Sequence, residues 1–117
     1  MTWQRLRLAI NTALEQEGIE EDRHLGGFFL TQTELADPDQ VLNHVINKVI
    51  GYLRDDVVRY EPERLFKMDG DYVPGFAKLR RQIKDDPQGL KSIFKDDLET
   101  PLTTALKQID QYRIDQG

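Results

Sequence analysis

Apolar residues recur along the first stretch of the chain at spacings of three and four: Trp3, Leu6, Ile10, Ala13 and Leu14. On a helix these positions share one face, so residues 2–17 read as an amphipathic helix. Thr2 is placed to cap its start, and Gly18 can take the left-handed conformation that stops it. Residues 19–24 form a charged connector. Residues 25–30 then give the apolar run Leu25-Gly26-Gly27-Phe28-Phe29-Leu30, which is too short for a helix. Its aromatics suit an extended segment pinned into the core, with Gly26-Gly27 allowing a sharp turn or a close backbone approach.

The clearest helix start is Asp37-Pro38-Asp39-Gln40. Asp37 sits at the N-cap and Pro38 at the first helical position, and Gln40 is spaced to reach back as in a capping box. Leu42, Val45, Ile46, Val49, Leu53 and Val57 follow as one stripe, widened by Val41 and Ile50. That width implies packing against more than one neighbour. Gly51 inside the helix costs about 1 kcal/mol relative to alanine, and a missing side chain there lets another element approach closely. The helix is expected to end before Pro62.

Residues 65–73 read either as a short hairpin turning at Asp69-Gly70 or as an irregular loop. A third helix starts near Pro74 and points Phe76, Leu79 and Ile83 inward, until Asp86-Pro87 breaks it. Leu90, Ile93 and Phe94 suggest a short helical turn. A last helix begins between Asp96 and Pro101, with Leu98, Leu102, Ala105, Leu106, Ile109 and Tyr112 on one stripe. The sum is a mainly α fold, a small bundle of about four helices with room for a short β-hairpin or extended segment. With 117 residues, the chain fits one domain spanning residues 1–117.

Composition narrows the chemistry. There is no cysteine, so disulfides, thiolate metal sites and a cysteine nucleophile are excluded. No apolar run approaches the roughly 20 residues needed to span a bilayer. The start of the chain carries no long apolar block or small-residue cleavage site, which argues against a signal peptide. A cytoplasmic protein is the expectation. The formal charge is −5, and the basic residues are scattered, so direct nucleic-acid binding is not expected.

No glycine-rich phosphate loop of the G-x-x-x-x-G-K-[ST] type occurs, and Gly26-Gly27 reads as a structural turn. Ser92 is the only serine and has no nucleophile elbow around it. His24 and His44 are the only histidines, too few for a histidine zinc site without carboxylates. Asp69-Gly70-Asp71 lacks the further acids that a calcium loop requires. Asp55-Asp56 would serve acid–base chemistry only if a cleft raised one pKa. No cofactor is implied, and no enzyme is expected.

Three stretches carry a resemblance: Leu6-Arg7-Leu8-Ala9-Ile10-Asn11, then Glu21-Asp22-Arg23 with Leu25-Gly26-Gly27-Phe28-Phe29-Leu30, then Asn47-Lys48-Val49-Ile50-Gly51-Tyr52-Leu53-Arg54-Asp55-Asp56-Val57. In this order they resemble the lid that follows the nucleotide-binding core of McrB-type restriction ATPases, which belong to the AAA+ class. The likeness covers about residues 3 to 66, and more loosely Leu90-Lys91-Ser92-Ile93-Phe94. Many relatives have a histidine where this chain has Gly27, and often a tryptophan in place of Arg54. The family uses nucleotide hydrolysis in ring-shaped oligomers to drive a partner nuclease. The core that would bind nucleotide has no counterpart here, so the resemblance implies a non-catalytic module that binds a separate ATPase or nuclease subunit. The alternative is a phage or mobile-element protein that binds and inhibits such a defence complex. The interaction surface this suggests comprises Arg23, Phe28, Phe29, Tyr52, Arg54, Asp55 and Asp56. Under either reading the partner is a protein, with no membrane involved.

Overall fold

The computed structural model describes residues 3–67 together with Lys78, Arg81 and Phe94. Helix α1 spans Trp3–Gln16 and buries the face its apolar spacing calls for: Trp3, Leu6, Ala9, Ile10, Ala13 and Leu14. Its end is a Schellman closure. The Ile19 N–H donates to the Leu14 carbonyl at 2.9 Å and the Gly18 N–H to the Glu15 carbonyl at 3.0 Å. Gly18 sits at φ 73°, which glycine reaches without a Cβ penalty. Arg64 adds a second cap, donating through Nη2 to the Glu17 carbonyl. A cation at that end also meets the negative pole of the helix dipole.

After α1 the chain makes a single 3₁₀ turn, Glu21–Arg23, and then helix α2, Gln32–Leu35. Thr31 starts α2 with a full capping box. Its hydroxyl accepts from the Glu34 N–H at 3.2 Å, and Glu34 Oε1 accepts from the Thr31 N–H at 2.9 Å. Helix α3, Pro38–His44, begins at Asp37, whose Oδ1 accepts from the Asp39 N–H at 3.0 Å. The capping box expected from Gln40 does not form. Its Oε1 instead accepts from Asn43 Nδ2 at 3.2 Å, a neighbour one turn on along the same face.

Helix α3 does not stop at His44. It continues as one rod with wider i→i+5 turns over Val45–Ile50 and Leu53–Val57. The Gly51 N–H donates to the Ile46 carbonyl, five residues back, and the Val58 N–H to the Leu53 carbonyl at 3.0 Å. The apolar spacing supplies a reason. Val41, Val45, Val49, Leu53 and Val57 recur every four residues, and all are buried. At 3.6 residues per turn, such a repeat drifts about 40° per step around the axis. Wider turns reduce that drift and keep the five on one side. Leu42, expected in the stripe, lies on its flank and is only partly buried.

The buried core gathers the inner faces of α1 and the rod with Ile19, Leu25, Leu30, Leu35, Val58, Leu65, Phe66 and Phe94. Phe66 and Phe94 form an isolated antiparallel bridge, their rings stacked at 5.7 Å and 15°. This corrects the helical turn expected at Phe94. A bridge satisfies backbone groups while the two rings share one buried contact. Lys78 and Arg81 are helical and exposed; the start of the expected third helix at Pro74 and its inward positions Phe76, Leu79 and Ile83 lie outside the described residues. The Asp69-Gly70 turn and the last helix lie outside the described residues. The fold is mainly helical and compact, with a radius of gyration of 13.1 Å. No described helix is long and apolar enough to cross a membrane.

Candidate functional site

Polar side chains on one flank of α1 hold the glycine-aromatic segment by its backbone. Asn11 grips Leu25 at two points: Nδ2 donates to the Leu25 carbonyl at 2.9 Å, and Oδ1 accepts from the Leu25 N–H at 2.7 Å. Arg7 Nη1 donates to the same carbonyl at 3.2 Å. Gln4 Nε2 donates to the Gly27 carbonyl at 3.0 Å, and its Oε1 accepts from Arg7 Nε at 2.7 Å. Gln4, Arg7 and Asn11 are spaced three and four apart, so the helix presents them as one row. Sequence reasoning passed over this row, although its spacing beside the apolar stripe was readable.

The clasp fixes a turn in which the Phe29 N–H donates to the Gly26 carbonyl at 3.1 Å. Leu25 and Leu30 are buried on either side of it. The aromatics between them are not pinned into the core as expected. Phe28 is 85% exposed, because the turn puts it at the tip, and Phe29 is only partly buried.

Phe29 leans against the long helix. Its ring lies 5.2 Å from that of Tyr52 at 47°, and Lys48 Nζ stands 5.5 Å from its centroid. Tyr52 donates its hydroxyl proton to the Arg23 carbonyl at 3.2 Å. Lys48 also pairs with Glu34 Oε1 at 2.9 Å, and His44 Nδ1 lies 3.9 Å from Glu34 Oε2. The Thr31 backbone N–H first, and then Lys48, hold the Glu34 carboxyl below its usual range, at about 2. Capping box, ion pair and aromatic pair therefore join α2, the turn and the rod at one corner.

Of the seven residues singled out from the sequence, the structure brings Arg23, Phe29 and Tyr52 together. Arg23 takes part through its backbone carbonyl. Phe28 rides on the same turn but projects away. Arg54, Asp55 and Asp56 lie further along the rod. With Arg59 and Pro62 they line an open cleft of about 500 Å³. Arg54 Nε donates to Asp55 Oδ1 at 3.0 Å, while Arg59 lies 5.5 Å from the Tyr60 ring centroid. No histidine lines this cleft; His44 stands at Glu34 instead.

This arrangement projects a large aromatic side chain from a backbone hydrogen-bonded to side chains of α1. Searches with the chain found no matching family model, no matching curated protein and no matching solved structure.

Proposed function

We propose that this chain works by contact, as a helical interaction module that docks its Phe28 turn onto a separate ATPase or nuclease subunit of a McrB-type restriction system. One observation carries the contact reading: a phenylalanine 85% exposed on a turn whose backbone at Leu25 and Gly27 makes four hydrogen bonds with the side chains of Gln4, Arg7 and Asn11. Ordering a loop at the moment of binding costs affinity, and a loop ordered beforehand avoids that cost. Aromatic residues, phenylalanine among them, are enriched at protein interfaces relative to the rest of the surface. The resemblance over residues 3 to 66 supplies the class of partner.

The test is calorimetric titration of the purified chain into a McrB-type ATPase lacking its own lid, and separately into the cognate nuclease subunit. Saturable binding to one of them is the expected result. Nucleotide turnover measured alongside separates a module that completes the ring from one that blocks it. Absence of heat with both subunits would overturn the proposal.

A further inference from the structure

The rod running through residues 38–57 is wound in a way its own backbone does not favour. Runs of i→i+5 bonding are rare, and where they occur they are frequently at functional sites. Here two such runs flank Gly51-Tyr52. The Gly51 N–H is shared between the Ile46 and Lys48 carbonyls, so its bonding lies between two windings. Gly51 is buried, and Tyr52 beside it is tied to the turn through Arg23 and Phe29. Beyond it the wide turns, together with the non-helical backbone of Val58 at φ −117° and ψ 33°, bring Leu53, Val57 and Val58 into the core together. In an α-helix Val58 would fall about 100° from Val57 and about 140° from Leu53.

We infer that the Leu53–Val57 turns are a rewinding joint: burial of Val57 and Val58 holds them wide, and releasing that burial returns them to α geometry. Rewinding removes one residue from a turn. It therefore swings Arg54, Asp55 and Asp56 around the rod axis by up to about 100°, while Tyr52 stays with the aromatic turn. The cleft and the turn would then change their relative facing without the chain unfolding.

Two readouts on the full chain test it. Through-hydrogen-bond NMR couplings report which carbonyl each amide uses. Because the chain has no cysteine, cysteines introduced at Asp22 and Asp56, both exposed, take spin labels without background. In the otherwise native chain the Val58 amide is expected to couple to the Leu53 carbonyl. In Val58→Thr the coupling moves to the Arg54 carbonyl and the label distance shifts. Val58→Ala, which keeps the position apolar, is the second variant should threonine not be tolerated. Coupling to Arg54 in the native chain, or unchanged coupling and distance in a folded variant, would overturn the inference.

Discussion

Replacing Asn11 with alanine isolates the clasp that shapes the aromatic turn. The substitution removes two hydrogen bonds, at 2.9 and 2.7 Å. The Leu25 carbonyl keeps its bond from Arg7 at 3.2 Å, but the Leu25 N–H loses the acceptor Asn11 provided. A typical intramolecular hydrogen bond contributes about 0.5–1.5 kcal/mol, and stranding a buried donor costs about 1–3 kcal/mol. The site is partly buried, so the lower half of that range applies, and the total is about 2 kcal/mol. For a chain of this size that lowers Tm by roughly 10 °C. Urea unfolding followed by the fluorescence of Trp3 measures it directly, since Trp3 is the only tryptophan and is fully buried. Asn43→Ala is the control, because its one bond, to Gln40, is exposed and is expected to matter by less than about 0.5 kcal/mol. If Asn11→Ala unfolds within about 0.5 kcal/mol of the native chain, the clasp does not hold the turn.

Gly18→Ala is expected to cost about 1–2 kcal/mol, visible as a lower urea midpoint. The cause is the φ of 73° alone, since an added Cβ meets nothing nearer than Arg64 Nη2 at 3.7 Å. Glu34 gives a pH signature. Its folded pKa is lowered from 4.5 to about 2, so its contribution is fully present above pH 4.5 and is lost as pH falls toward 2. Glu34→Gln should therefore flatten the fall in urea midpoint across that window; an unchanged slope would count against the capping box and the Lys48 pair as its source. Added salt should weaken only the Lys48 part, which is solvent-exposed.

Much of the fold was legible where local chemistry and packing agree. The α1 stripe from Trp3 to Leu14 and the stop at Gly18 came out of spacing and backbone freedom alone. So did the Asp37-Pro38 start of α3. The Thr31-x-x-Glu34 box was equally written in the chain but stood between two louder signals. Gln40 was misassigned because spacing alone does not say which of two neighbours a flexible amide will choose. The winding of the rod was hidden in a four-residue repeat that reads as an ordinary helical stripe until its drift is followed over the seventeen residues from Val41 to Val57. Of the candidate surface, Tyr52 and Phe29 pack against each other within the fold. Residues 25–30 were read as a segment pinned into the core because hydrophobicity was weighed without the turn that carries Phe28 outward. The pairing of Phe66 with Phe94 depends on contacts far apart in the chain, which no local pattern encodes.

If Phe28 anchors a protein contact, removing its ring weakens binding and leaves the fold intact. The most direct measurement is the affinity of native chain and Phe28→Ala for the same McrB-type subunit, with equal urea midpoints showing that both are folded. Burying an exposed phenylalanine contributes about 1.5–3 kcal/mol, so the alanine variant should bind about 10- to 150-fold more weakly. Equal affinity of the two chains would show that Phe28 is no anchor.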